Sequence, residues 1–400
     1  MTPYQPAPPD VLLSDLGLRC AGVAAGIKPS GRPDVGLLVA PRPIPVAGVF
    51  TQNAFAAPPV RRSREHLERS GGWIRAIVVS SGNANACTGE RGEADALAMC
   101  ERVARGLGCA AGEVLVASTG VIGVPLPMQK VLAGIDAALD GLGGSADHAA
   151  RLLAAIQTTD AFEKRAGRRF DVEGGSLGVA GIAKGAGMIE PNMATMLSFV
   201  ALDRSVAPAA LSAAIRPIAE RSFNAVHVDS HTSTNDSFFL LASGETTAPS
   251  GWEAHVGEVS ERLAWLIARD GEGATKVTRV EVVGASDDAV AKEIARTVAK
   301  SALVRTALFG NDPNWGRFVS AAGNSPHVRE PGSVSCVLAG VSVFERGEPR
   351  PFDHAALRAT LASSDSVVLR LTVGRGPGAA HLLTSDLGYR YVEVNAEYTT

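Results

Sequence analysis

Cysteine is scarce in this 400-residue chain: Cys20, Cys87, Cys100, Cys109 and Cys336 are five in number, scattered, with no C-x-x-C pair. An odd, dispersed set builds neither a disulfide framework nor a zinc knuckle, and it fits reduced thiols used for packing. Long hydrophobic runs are missing as well. The longest, such as 367–369 and 238–242, fall far short of the roughly 18 residues of a membrane span. The opening MTPYQPAPPDVLLSD is proline-rich and has no basic stretch leading into an apolar one, which argues against a secretory signal and for a cytoplasmic protein. Neither sign of charge dominates. With a net charge of −3 and basic residues placed singly, the chain carries no footprint of nucleic acid or anionic membrane, so a small molecule is the expected partner.

What is present is an ordinary globular composition, with 46% hydrophobic, 20% charged and 5% aromatic residues, in a chain long enough for two or three domains. No internal repeat or low-complexity tract interrupts it. Residues 74–79 (IRAIVV) read as a buried strand, and Leu97, Cys100, Val103 and Leu107 recur at helical spacing. A glycine-dense stretch at 174–187 gives way after Pro191 to MLSFVALD, a plausible strand, with the composition changing at Thr195. Residues 207–223 look helical apart from Pro217, and Val256, Val259, Leu263 and Leu266 form a second stripe that ends at Asp270-Gly271. Thr278 to Val283 alternate as a strand. Ser286 offers a cap to a helix carrying Val290, Ile294 and Val298, and Leu369, Leu371 and Val373 alternate as more sheet. The elements interleave without a regular βαβ rhythm, which predicts an α+β or layered sandwich.

Thr195, in KGAGMIEPNMATMLSFV (184–200), raises a chemical question. A threonine hydroxyl is a poor nucleophile without a base, and an N-terminal threonine brings its own α-amine, with a pKa of about 7.7–8.0 against about 10.4 for lysine. Becoming N-terminal within the chain requires attack on the Ala194 carbonyl, a shift of the peptide to an ester, and hydrolysis. Gly, Pro and Asn before it can form the turn such a step needs. Spacing alone equally describes a threonine that opens a strand.

The stretch KGAGMIEPNMATM resembles the processing motif of the ornithine acetyltransferase (glutamate N-acetyltransferase) family, bifunctional enzymes of arginine biosynthesis. The resemblance runs nearly end to end: GVFTQN (48–53), SGNANACTG (81–89), STGVIG (118–123), TTD (158–160), STNDS (233–237), DGEGATK (270–276), GNDPNWGR (310–317) and NAEYTT (395–400) follow in order. It implies an autoprocessed αββα-type α+β sandwich, cut between Ala194 and Thr195 into an α chain (1–194) and a β chain (195–400) that assemble as α2β2. Thr195 would carry acetyl from N-acetylornithine to glutamate by a ping-pong route. The Thr119 hydroxyl and Gly120 amide would form the oxyanion hole, and Thr158, Lys184, Thr195, Glu272, Asn395 and Thr400 would bind substrate. A zwitterionic amino acid asks for such a pairing of cation and anion. The resemblance implies no metal and no cofactor, with acetyl-coenzyme A as an additional substrate in some members.

Three places depart from the family pattern. TTDAFEK puts Ala161 and Glu163 where the family usually has a hydroxyl and a proline. LLTSDLGYRYV carries Leu383, Gly388 and Arg390, and VDSHTSTND carries Ser230 and His231. Six other readings compete. Gly174 to Gly178 match the G-x-S-x-G nucleophile elbow, but glycine-rich sequence follows instead of a helix. His227, Asp229 and His231 share one strand face and could ligate a metal. GEGATK lacks the G-K-[ST] of a P-loop. An autoprocessed aminopeptidase or amidase would deacylate Thr195 with water; an acetyltransferase for specialised-metabolite amino acids is a near variant, and a non-enzymatic binding module is the remaining class.

Overall fold

The computed structural model describes residues 8–190 and 196–397. They form two compact units, one of 8–224 with 231–267 and a smaller one of 225–230 with 268–397. These units do not follow the expected division at 194/195, a covalent one whose residues lie outside the described residues.

The larger unit holds β1 (Arg19–Val23), β2 (Val35–Phe50), β3 (Trp73–Asn83), β4 (Val114–Val121), β5 (Lys164–Val172), β6 (Gly175–Lys184) and β7 (Leu197–Leu202). The two-residue β8 (Val226–His227) belongs to the smaller unit, and β9 (Ser237–Ala242) returns to the larger. The sheet order is β4-β3-β2-β9-β7-β6-β5, with β1 on β2. Only β3–β4 and β7–β9 run parallel.

β2 makes this one sheet serve as two. Its first part pairs with β3 and its last part with β9, and the register with β3 slips between Val39 and Ile44, where the sequence reads Pro41-Arg42-Pro43. Proline has no amide to give a ladder, so pairing lapses there and the strand can bend. Alternation then assigns the faces. Leu38, Ile77, Val79 and Leu115 from the first half share a core with Ile182, Phe199 and Phe239 from the second. The opposite face of the first half, with Val35, Leu37 and Val78, packs on Met99 and Val103 of α2 (Gly89–Leu107) and on Ile135 of α3 (Met128–Asp140). On the far side of the second half lie two more helices, α5 (Pro208–Arg221) and α6 (Trp252–Arg269). α5 packs on β2 and β9. α6 is so close to β6 that a Cβ at Gly181 would lie 2.9 Å from Leu263 Cδ1. Helix, sheet, sheet and helix are therefore stacked in four layers, the α+β layered sandwich expected from the sequence. α1 (Pro58–Arg69) and α4 (Ala146–Ile156) close the edges against β4 and β1.

In the smaller unit, β10 (Val277–Ala285), β11 (Ser335–Leu338), β12 (Val341–Glu345), β13 (Glu348–Pro349), β14 (Ser366–Thr372) and β15 (Gly378–Ser385) join β8 in the order β13-β12-β11-β14-β10-β15-β8. Val280, Val282, Leu369 and Leu371 face a core built with α7 (Asp288–Lys300), α8 (Ala302–Phe309), α9 (Trp315–Gly323) and α10 (His354–Ser363). Off that core, Glu281 accepts from Arg279 at 3.0 Å and from Arg370 at 2.8 Å. A last helix, α11, spans Tyr389–Glu397.

Most expected elements fall where the periodicity put them, with two shifts. Leu97 and Leu107 are half-buried, because the inward stripe of α2 runs through Ala96, Met99, Cys100 and Val103. The cap of α7 is Asp287, whose carboxylate accepts the Val290 amide at 2.9 Å, while Ser286 only donates to Asp287. The packing role of cysteine holds for Cys20, Cys100 and Cys336 but not for Cys87, which is exposed. Among the described residues no helix is long and apolar enough to cross a membrane.

Phe199 stacks on Phe239 with ring centroids 5.6 Å apart, and Phe239 meets Phe50 edge-on at 5.6 Å, between the two strand sets. Phe199→Ala is expected to lower unfolding free energy by about 3–5 kcal/mol, measured by urea denaturation, and a loss under about 1 kcal/mol would contradict a close-packed inter-sheet core.

Candidate active site

The site begins where two parallel strands come unusually close. At the ends of β3 and β4, Gly82 is paired with Gly120, and a Cβ on Gly120 (φ 133°) would lie 2.3 Å from the Gly82 carbonyl carbon. Only glycine fits at that approach. The following SGNANACTG turn is held from within: Asn83 Oδ1 accepts the Asn85 amide at 2.8 Å, and Asn85 Nδ2 donates to the Gly92 carbonyl at 2.9 Å. Asn85 and Cys87 adopt φ of 46° and 56°, a region that Asn tolerates better than most residues. The turn therefore frames the end of β4, where Thr119 is buried.

Lys184, the last residue of β6, is 3% exposed, and its Nζ donates to Thr119 Oγ1 at 3.1 Å. An ammonium group has only donors to offer, so it occupies a lone pair of the hydroxyl and leaves the hydroxyl's own hydrogen to point elsewhere. The next residue continues the network. Gly185 donates its amide to Asp160 Oδ1 at 2.8 Å, and Thr158 donates its amide to Asp160 Oδ2 at 2.8 Å. Thr158, half-buried, is thus placed by the same carboxylate. Asp160 also accepts from Lys164 Nζ at 2.6 Å, both side chains being fully buried. Burial pushes the Asp160 carboxyl up, but the charges of Lys164 and Lys184 outweigh it and hold the pKa at about 2. Lys28 stands close enough for its charge to interact with Lys184 and Asp160. Burial and then Arg32 push it down to about 8, with Asp34 opposing.

Thr119, Gly120, Lys184 and Thr158 are therefore assembled in the larger unit. Ala194, Thr195 and Thr400 lie outside the described residues. In the smaller unit Glu272 accepts from Asn395 Nδ2 at 3.0 Å. The loop between α6 and β10 needs glycine to sit against α11, since a Cβ at Gly273 would come within 2.5 Å of the Tyr391 amide. Of the departures, Ala161, Glu163 and Arg390 are exposed. Gly388 abuts Phe309, whose ring a Cβ there would approach to 2.4 Å, and Ser230 Oγ pairs with His227 Nε2 at 3.0 Å.

The residues behind the competing sequence readings have roles within the fold. Gly175 to Gly178 open β6, so a strand and not a helix follows the G-x-S-x-G match. His227 is pushed down to about 3 by burial and by Arg305, Lys300 and Arg296, and it is engaged by Ser230 and Thr384. No three His, Cys, Asp or Glu side chains among the described residues are grouped to hold a metal. Lys276, at the P-loop-like GEGATK, donates to Asn311 and to the Leu361 carbonyl. Asp160, Lys164 and Lys28 escape sequence reasoning. Only TTD flags the first, and nothing distinguishes the two lysines from surface charges.

Asp160→Asn is expected to cost about 3–5 kcal/mol at neutral pH, because Lys164 stays buried without its counter-ion. A carboxyl with a folded pKa of about 2 and an unfolded one of about 3.9 stabilises fully above the latter and loses that contribution as pH falls through the former. The gap between wild type and variant should therefore narrow from pH 4 towards about 2 in denaturant titrations, and a constant gap would contradict an ionised pair.

The ArgJ family model matches residues 19–400. The arginine biosynthesis bifunctional protein ArgJ of Rhodopirellula baltica is 46% identical over 394 residues, covering 96% of both chains. That of Thermus thermophilus is 46% identical over 388 residues, covering 96% of this chain and 98% of its own. A crystal structure of ornithine acetyltransferase from Mycobacterium tuberculosis, complexed with ornithine, is 37% identical over 45% of this chain and 93% of that one, with a TM-score of 0.39. A family match over nearly the whole length, with relatives 46% identical over 96% of the chain, makes this chain a member of the ArgJ family.

Proposed function

We propose that the chain is a self-cleaving N-acetyltransferase of the cyclic route to arginine, moving acetyl from N-acetylornithine to glutamate through an acetyl-Thr195 intermediate. One juxtaposition carries the reading. Lys184 pairs with Leu197 across β6 and β7 and also donates to Thr119 on β4. Thr195 lies two residues before Leu197 in sequence, and two residues of chain extend at most about 7 Å. That nearness in sequence to the partner of a buried cation which touches Thr119 supports the reading of Thr195 as nucleophile and Thr119 as oxyanion donor.

Self-cleavage would free the Thr195 amine, which takes the hydroxyl proton as Oγ attacks the acetyl carbonyl of the donor. The Thr119 hydroxyl and Gly120 amide would bind the oxyanion. As the C–N bond breaks, the proton passes to the departing ornithine amine and acetyl stays on Thr195. Glutamate's amine then attacks that ester, its proton returns through the Thr195 amine, and N-acetylglutamate leaves. Lys184 suits a carboxylate and Glu272 an ammonium, with Thr158, Asn395 and Thr400 completing the substrate contacts. No metal or cofactor enters this cycle. Acetyl-coenzyme A fits as an alternative donor, and an α2β2 assembly in the cytoplasm belongs to the same proposal.

Three measurements test it. Thr195→Ala should give a single uncut mass by intact-protein mass spectrometry, where wild type gives two fragments split before Thr195. Thr119→Ala should lower turnover roughly 10²- to 10³-fold. Incubation with N-acetylornithine, with and without glutamate, separates the chemistries: glutamate-dependent N-acetylglutamate supports transfer, and acetate alone would replace it with hydrolysis.

A further inference from the structure

The polar run Ser233, Thr234, Asn235 and Asp236, just before β9, is buried throughout, with exposures of 3%, 7%, 4% and 0%. Four consecutive polar side chains out of water require partners, and their partners point in two directions. Asn235 Nδ2 donates to the Ala84 carbonyl at 2.6 Å and to the Ser118 carbonyl at 2.9 Å, which ties it to the SGNANACTG turn and to the residue before Thr119. Asp236 faces the other way. Its Oδ1 accepts the Met196 amide at 3.0 Å, and Met196 is bonded directly to the carbonyl carbon of Thr195. The backbone braces the same run, as Thr51 donates to the Asp236 carbonyl and Ser237 to the Met196 carbonyl, both at 3.0 Å.

We propose that this loop is a two-sided brace, in which Asn235 holds the strand bearing Thr119 and Asp236 holds the peptide after Thr195, making Asp236 a positioning residue for self-cleavage and acetyl transfer. The inference rests on the reading of Thr195 as nucleophile. Its physical basis is that nucleophile and oxyanion donors come from different stretches of the chain, Thr195 just ahead of β7 in sequence and Thr119 on β4, and misplacement by about 1 Å is enough to cost about 10²-fold in rate. A single loop bonded to both sides fixes that separation.

The protonation state of Asp236 follows from its surroundings. Oδ2 is buried and makes no hydrogen bond among the described residues. Burial pushes the carboxyl well above the usual carboxylate range, against the pull of the Met196 amide, the Lys184 charge and the Ser233 and Thr51 hydroxyls. Lys184 is a charged group acting on it, and Arg64 nearby donates to the Thr51 carbonyl at 2.6 Å. A neutral acid can be replaced by a neutral amide of the same shape.

The experiment compares Asp236→Asn, Asp236→Ala and Thr195→Ala in the full chain. Asp236→Asn, keeping the acceptor, should self-cleave and turn over within about threefold of wild type, while Asp236→Ala should cleave and turn over about tenfold slower or worse with KM little changed. Normal cleavage and kcat in Asp236→Ala would overturn the brace, and so would an Asp236→Asn as impaired as the alanine variant. If the alanine variant does not fold, stability against pH decides. With burial pushing its carboxyl up in the folded chain, the wild type should lose stability relative to Asp236→Asn as pH rises above about 4, and parallel profiles would overturn the neutral acceptor. Thr195→Ala separates the two ideas, since a cut Thr195→Ala chain removes the nucleophile reading itself, whereas an uncut one beside a normally cleaving Asp236→Ala removes only the brace.

Discussion

An ammonium group buried beside a hydroxyl is the constraint on which the larger unit turns. Lys184 is almost fully buried, and a lone charge in that setting would either deprotonate or unfold its surroundings. Asp160 answers it, but a buried carboxylate is equally expensive, so Asp160 is itself held ionised by Lys164, by Lys184 and by two backbone amides. The result is a mutually dependent set in which no member can be removed without stranding another. The hydrogen bond to Thr119 is the point at which this internal electrostatics reaches the proposed oxyanion donor.

Close backbone approach is the second constraint, and it explains why glycines cluster where the chemistry is. Gly82 and Gly120 let β3 and β4 meet at their ends with no side chain between them. The asparagine-rich turn that follows commits its side-chain amides to backbone groups, which stiffens a loop that glycine alone would leave loose. Strand ends held this way give donors a fixed direction, and electrostatic stabilisation of a developing charge demands that the donors be in place beforehand.

How much of this is readable in the sequence depends on the type of residue. Apolar periodicity places β3, β7, β10 and the helices α2, α5, α6 and α7, because burial of one face leaves a repeating mark. The offset in α2 arises because alanine and methionine carry the buried stripe there, and alanine is silent in a hydrophobic pattern. The four-layer stacking depends on β2 bending at Pro41 and Pro43, and nothing in its alternation announces a strand shared between two sheet halves. Thr119, Gly120, Thr158 and Lys184 are reached through ordered motifs, whereas Asp160, Lys164, Asn235 and Asp236 matter through partners distant in sequence. A polar run in front of the apolar SFFLLA is the available signal for the last two, since polar residues preceding a fully buried strand must themselves find partners.

The strand order also bears on why a cut before Thr195 would leave the fold intact. The second chain would supply β7 and β9, and in the sheet these lie between β2 and β6, both from the first chain. β6 and β7 are paired continuously from Val179↔Leu202 to Lys184↔Leu197, so the connection between them closes a ladder that is already complete. Among the described residues, the strand pairings between the two halves do not depend on that peptide bond, and the entropy of closing a connection grows slowly with its length. Two chains interleaved strand by strand cannot drift apart without unzipping both flanking ladders. On the proposed reading the nucleophile would therefore be generated late, by chemistry within a finished fold.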